Sequence, residues 1–66
     1  MSIEDIRRLS NEELPKELEE SYLELQNLRF RLATRQLSNV HEIAKVKKRI
    51  AHVKTVQRQR ELGISV

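Results

Sequence analysis

The chain has 66 residues, of which 35% are charged, with a net charge of +3 and no cysteine. A chain of this size forms one small domain with a limited core. Without cysteine, neither a disulfide nor a thiolate metal site can stabilise it. No apolar run approaches the length of a membrane span and no secretory leader is evident, so we expect a cytoplasmic protein or one from an equivalent organellar interior.

The charge is divided along the chain. Residues 1–24 carry a net charge of −5, and residues 25–66 carry a net charge of +8. No acidic residue occurs between Ala44 and Arg60, whereas an ordinary solvated coiled-coil surface would alternate Glu with Lys. A basic part of this kind indicates a polyanionic partner. The alternative is two solvated helices whose charges segregate by chance.

The predicted fold is all-α: an antiparallel two-helix coiled-coil hairpin preceded by a short helix, in a single domain that spans residues 1–66. The short helix is expected over about residues 3–9, where Ile and Leu recur every three residues. The long helix is expected over about residues 11–37 and the second long helix over about residues 40–61. Two such helices joined by a few residues must run antiparallel.

Local signals support these boundaries. The sequences "SNEE", from Ser10, and "NVHE", from Asn39, are capping boxes that begin the two long helices. Gly63 is a C′ residue that ends the second one. The long helix has the 3–4 apolar spacing of a coiled-coil seam, at Leu14, Leu18, Leu25, Leu28 and Leu32. The facing seam on the second long helix consists of Ile43, Val46, Ile50 and Val53.

A second apolar line runs along the other side of the long helix. Leu23, Phe30 and Leu37 are seven residues apart and lie opposite the seam, because residues two apart on a helix are separated by about 200°. The short helix can cover one or two of these side chains at most, so we expect the rest to face a partner. Flanking arginines indicate that this partner is anionic or has an anionic neighbour; they are Arg29, Arg31 and Arg35.

The second long helix carries most of the predicted phosphate contacts. Lys47, Lys54 and Arg58 form one stripe, and Lys48 and Thr55 form the adjacent row. Lysine and arginine supply charge to phosphates, and threonine supplies a hydrogen-bond donor. Because the chain has one Phe and one Tyr, stacking on bases is limited. Recognition of structured RNA by shape and backbone is therefore favoured over base readout.

Nothing in the chain predicts an enzyme, a cofactor, a small-molecule substrate or a metal site. His41 and His52 have no histidine or cysteine partner at ligand spacing. The carboxylates of "EELPKELEE" lie near the start of a predicted helix, where they interact favourably with its dipole.

Three segments together resemble the ribosomal protein twenty-nine family of the bacterial large (50S) subunit. "ELQNLRFRLATRQLSN" is similar to the family pattern E-L-x-x-L-R-F-x-x-A-T-G-Q-L. "VKKRIAHVKTVQRQRELG" is similar to V-R-R-x-I-A-R-x-x-T-V-x-R-E-R-E-L-G, and "LSNEEL" matches a common start of the first long helix. Arg35 replaces the usual Gly, His52 a common Arg and Val40 a frequent Pro. We expect the long helix to persist through Arg35.

The resemblance implies a structural constituent of the large ribosomal subunit that binds its rRNA near the peptide exit tunnel. It also implies ribosomal protein twenty-three of the same subunit as a neighbour, with chaperone and targeting factors docking close by. The resemblance and the charge pattern together predict these RNA-binding residues: Arg29, Arg31, Thr34, Arg35, Gln36, Lys47, Lys48, His52, Lys54, Thr55, Arg58 and Arg60.

Two other functions are compatible with the sequence. One is a coiled-coil protein–protein interaction module, in which the two apolar lines form a four-helix dimer and the cations serve solubility. The other is a free-standing RNA-binding regulator outside the ribosome.

Overall fold

The structure is a computed structural model that describes residues 2–36 and 40–63. These residues form three α-helices, α1 (Ile3–Arg7), α2 (Glu13–Ala33) and α3 (His41–Glu61). α2 and α3 pack against each other as an antiparallel hairpin, and α1 packs against α3. The result is a rod of 44 × 18 × 16 Å. The prediction of an all-α helical hairpin with a short N-terminal helix is confirmed.

α1 is short but well capped. The Ser2 hydroxyl accepts a hydrogen bond from the Asp5 N–H, and the Asp5 carboxylate accepts one from the Ser2 N–H, both at 3.3 Å. This reciprocal pair is a capping box. Because the bond from the Ser2 N–H favours the ionised carboxyl group, it holds the pKa of Asp5 below its usual value. The helix ends at Arg7, two residues before the predicted end.

α2 begins at Glu13, two residues later than predicted. The predicted contact of the Ser10 hydroxyl is present, because it accepts a hydrogen bond from the Glu13 N–H at 3.1 Å. The Ser10 carbonyl accepts from the N–H groups of Glu13 and Leu14, both at 3.1 Å, so residues 11–12 form a turn before the helix. Pro15 lies in the first helical turn, where its missing N–H leaves no hydrogen bond unmade.

α2 does not continue through Arg35, so that prediction was wrong. The last helical residue is Ala33, and Arg35 adopts a left-handed backbone conformation with φ of 62°. The Gln36 N–H donates to the Arg31 carbonyl at 2.8 Å, and the Arg35 N–H donates to the Leu32 carbonyl at 3.1 Å. These two bonds form a Schellman motif, which places a left-handed residue just after the helix. The motif ends the helix here despite the absence of glycine.

α3 spans His41–Glu61 and is followed by Gly63 at φ 74°. The Gly63 N–H donates to the Arg60 carbonyl at 3.1 Å, which confirms Gly63 as the C′ residue. The other predicted capping box starts at Asn39, and the second apolar line ends at Leu37. Both of these residues lie outside the described ranges.

The core consists of two clusters that meet at Leu18. The cluster at the α1 end of the rod contains Ile6, Leu14, Val53 and Val56. The cluster nearer the connection between the long helices contains Leu25, Leu28, Val46 and Ile50. Ser21 takes the seam position between them, fully buried, with its hydroxyl donating to the Glu17 carboxylate at 3.5 Å. The predicted seams therefore form most of the core, with Val56 as an addition, but Leu32 at the end of the α2 seam is 39% exposed.

α1 packs over the end of α3 and leaves the second apolar line open. Ile6 is fully buried against Leu14 and Val53, so α1 is held on the seam side of the hairpin. Leu23 and Phe30 remain 58% and 65% exposed. α1 therefore covers neither of these two side chains.

Candidate nucleic-acid interface

The hairpin has two long edges where α2 and α3 meet, and one of them is strongly basic. Arg29 of α2 and Lys47 of α3 line the same groove on this edge. Seven residues further along α3, the Lys54 ammonium lies 5.5 Å from the ring centroid of Tyr22 on α2, a cation–π distance. We call the edge formed by Tyr22, Arg29, Lys47 and Lys54 the basic edge.

The opposite edge carries ion pairs. Residues two apart on a helix are separated by about 200°, so Glu24 and Arg49 face away from the basic edge. The Arg49 Nη1 donates to the Glu24 Oε2 at 2.7 Å and links α2 to α3. On the same side, the Lys45 Nζ lies 3.5 Å from the Glu42 Oε1. We call these four residues the paired edge, and their cations already have carboxylate partners.

The cations of the basic edge have no such partners. Within residues 2–36 and 40–63, no ion pair includes Arg29, Lys47 or Lys54. All three residues are exposed. Their positive charges repel one another in the free protein, and a bound polyanion relieves this repulsion while it releases its own counterions.

The outer face of α3 extends the basic edge. Lys48 and Thr55 are exposed there, one above the other, together with the small residues Ala44 and Ala51. The Thr55 hydroxyl donates to the Ala51 carbonyl at 2.8 Å, so its oxygen is left as an acceptor. Sequence analysis predicted a donor at this position. The small alanines leave room for an RNA backbone to approach the helix between the lysines.

Three predicted contact residues follow one another at the end of α2. Thr34, Arg35 and Gln36 are all exposed. The Thr34 hydroxyl bonds to the carbonyls of Phe30 and Arg31 at 3.1 and 3.2 Å, so it satisfies the end of the helix. The side chains of Arg35 and Gln36 extend the polar surface beyond that end.

The remaining predicted residues are placed differently. Arg58 continues the stripe of Lys54 but pairs with Glu61 at 3.2 Å. Arg31 and His52 are half-buried, and helical geometry turns both toward the paired edge. They are therefore separated from the basic edge.

Arg60 holds the N-terminal segment to α3. Its Nη1 donates to the Asn11 side-chain oxygen at 3.0 Å, and its Nη2 donates to the Arg7 carbonyl at 2.9 Å. Two of its donors are thus engaged within the protein. Sequence reasoning placed Arg60 among the RNA contacts and left Tyr22 out of that set, although Tyr22 lies seven residues before Arg29 on the same side of α2.

Neither a membrane span nor a metal cluster is found among the described residues. No helix there combines the length and apolar character needed to cross a bilayer. Across the same residues, no three His, Asp or Glu side chains are grouped so that they could hold a metal ion.

The chain is similar to known ribosomal proteins over nearly all of its length. Residues 4–60 match the family model described as Ribosomal L29 protein. Three relatives bear the name Large ribosomal subunit protein uL29. The one from Caldanaerobacter subterraneus is 56% identical over 64 residues, which cover 97% of each chain. The one from Finegoldia magna is 55% identical over 97% of this chain and 94% of its own. The one from Dehalococcoides mccartyi is 53% identical over 97% of this chain and 98% of its own.

Proposed function

The chain belongs to the ribosomal L29 protein family, and on this premise we propose that it binds large-subunit rRNA through the basic edge and the outer face of α3. It is a structural constituent of the large ribosomal subunit, and its place is the ribosome in the cytoplasm. The observation that carries the proposed binding face is the contrast between the two edges. Among the described residues, Arg29, Lys47 and Lys54 have no carboxylate partner on one edge, whereas Lys45 and Arg49 are ion-paired on the other.

The arrangement of cations suits a rod that joins RNA segments. Lys47 and Arg58 are eleven residues apart, which is about 16 Å along the axis of α3. Lys47 and Lys48 point about 100° apart around the same helix, so they reach different phosphates. A helix that neutralises phosphates on two of its sides can hold two RNA strands together without reading their bases.

The family resemblance also supports a more specific placement. We propose that the chain lies beside the peptide exit tunnel, next to ribosomal protein twenty-three and within reach of chaperone and targeting factors. We further propose that its role is structural and involves no catalysis, cofactor or small-molecule substrate. Fractionation of a lysate at high salt tests the placement in the subunit, because the chain should sediment with large subunits.

The binding face is tested by reversing charge on two different sides of the rod. The variant Lys47→Glu with Lys48→Glu changes the proposed face. The variant Lys16→Glu with Lys45→Glu makes the same change in net charge away from it. Binding of each protein to purified large-subunit rRNA is measured over a series of salt concentrations. The plot of log K against log salt has a negative slope, and each lost phosphate contact reduces the magnitude of that slope by about 1.

We expect the first variant to lose about 2 from this slope and to keep its helix content by circular dichroism. The control variant should keep the slope of the parent protein. Equal losses in both variants would show that only net charge matters, and a collapse of the helices in the first would show that Lys47 and Lys48 support the fold.

The two other functions give different results in simple assays. An interaction module built on the two apolar lines would sediment as a dimer and would bind rRNA no better than an unrelated basic peptide. A free-standing regulator would remain in the supernatant when ribosomes are pelleted.

A further inference from the structure

The side of α2 that faces away from α3 carries two large apolar side chains. Leu23 and Phe30 are 58% and 65% exposed. They are seven residues apart and therefore about 10 Å from each other along the helix axis. We call this surface the outer face of α2. Paired exposed apolar side chains on so small a protein indicate a contact with another molecule.

The charge on this face argues against RNA as that molecule. Arg29 lies on the basic edge, and Arg31 is half-buried toward the paired edge. The outer face therefore has no cation between Lys16 and Arg35. The sequence-based expectation allowed a partner that is anionic or one that has an anionic neighbour, and this charge distribution favours the second of these. The polar residues that surround the two apolar side chains are instead neutral or acidic: Glu19, Glu20, Gln26, Asn27 and Thr34.

The acidic groups are available to a cationic partner. Glu19 and Glu20 lie one turn before Leu23, are exposed, and take part in no ion pair within the described chain. Glu20 also lines a groove with Glu13, Glu17 and Lys16, in which three carboxylates outnumber one ammonium group, so the net charge at this end of the rod is negative. RNA phosphates would be repelled here, whereas lysine and arginine side chains would be attracted.

We propose that the outer face of α2 docks a basic segment of another protein of the large subunit. The segment places apolar side chains on Leu23 and Phe30, and its lysine or arginine side chains meet Glu19 and Glu20. The inference rests on the proposed function, since it assumes assembly into the subunit. It makes the hairpin an adaptor, with RNA on the side of α3 and protein on the side of α2.

Photocrosslinking in assembled subunits tests this division. The photoreactive amino acid benzoylphenylalanine replaces Phe30 in one variant, Leu23 in a second and Lys48 in a third. Large subunits that contain each variant are purified and irradiated, and the adducts are treated with ribonuclease or protease. Because all three side chains are exposed, the substitutions leave the core unchanged.

We expect adducts from Phe30 and Leu23 to be protein, with lysine or arginine close to the crosslinked residue by mass spectrometry. The adduct from Lys48 should be RNA. An RNA adduct at Phe30 and Leu23, a second copy of this chain, an acidic peptide, or no adduct in subunits that do contain the variant would each overturn the proposal. Failure of the Lys48 variant to crosslink RNA would count against the proposed binding face instead, so the two failures are distinguishable.

A charge reversal tests the electrostatic part. Glu20→Lys is combined with the photoreactive residue at Phe30, and Glu4→Lys, on α1, is the matched control. The protein adduct should fall about threefold or more with Glu20→Lys and stay unchanged with Glu4→Lys. Equal yields from both variants would remove the proposed contact with basic side chains.

Discussion

Replacing Arg35 with glycine is expected to stabilise the free protein. Arg35 holds φ at 62° as the C′ residue of the Schellman motif that ends α2. A side chain in this left-handed conformation costs about 1–2 kcal/mol, whereas glycine adopts it without strain. The guanidinium forms no ion pair within the described residues, so its removal loses little.

The expected gain is smaller than the full cost of the strained conformation. Glycine also makes the unfolded chain more flexible, and this entropy lowers the gain in the free energy of unfolding by about 0.4–1 kcal/mol. The net increase in the free energy of unfolding is therefore about 0.5–1 kcal/mol. In a domain of this length, that gain raises Tm by about 2–8 °C, which thermal unfolding followed by circular dichroism at 222 nm resolves.

The matched control is Arg35→Ala. This variant removes the same guanidinium but keeps a Cβ in the left-handed conformation, so we expect no rise in Tm. A rise equal to that of Arg35→Gly would assign the effect to relief of charge repulsion. A fall in Tm with Arg35→Gly would contradict the Schellman turn itself. Both variants should weaken rRNA binding equally, because each loses the same positive charge.

Three further measurements test the core, the open face and the first cap. Val53→Ala should lower the free energy of unfolding by about 2 kcal/mol, since Val53 is fully buried. Phe30→Ala should change it by less than about 0.5 kcal/mol but impair incorporation into large subunits; a large loss of thermal stability would place Phe30 in the core. Titration by NMR should give Asp5 a pKa below its usual value, and Ser2→Ala should raise that pKa only in part, because the backbone N–H of residue 2 still donates to the carboxylate. Because the pKa is lowered, the stabilisation from this cap is present above the unfolded-state pKa and is lost as the pH falls through the folded-state value.

The spacing of apolar residues was enough to predict the hairpin, but not the ends of its helices. Seam residues such as Leu25 and Val46 are buried as their 3–4 spacing requires. Arg35 has good helix propensity, so propensity did not mark it as the residue after the helix, although the Gly that is usual here in the resembled family is the typical C′ residue. Its conformation follows from the hydrogen bonds that close the last turn. Spacing also could not show where α1 lies, because Ile6 fits any apolar groove of the right size.

The sequence predicted which cations share one side of α3. It did not predict which of them lack a carboxylate partner from α2. Spacing of seven correctly groups Lys47 with Lys54 on one side of α3. Whether a cation is neutralised depends on the residue that α2 brings opposite, as with Arg49 and Glu24. Arg60 depends on a still more distant contact, with the N-terminal segment. To predict these pairings one must know which residues of α2 lie opposite which residues of α3. The apolar spacing within one helix does not give this register.

The two long helices together fix how the rod can be oriented in a larger assembly. A rod with unpaired cations along α3 and carboxylates beside exposed apolar residues on α2 has a lower electrostatic energy when α3 faces RNA. Rotation about its long axis would bring Glu19 and Glu20 toward phosphates and Lys48 toward protein. The small core, divided by the buried Ser21, supplies limited stability by itself. Contacts on both sides would therefore stabilise the folded hairpin as well as orient it, because any partner that binds only the folded chain shifts the equilibrium toward it.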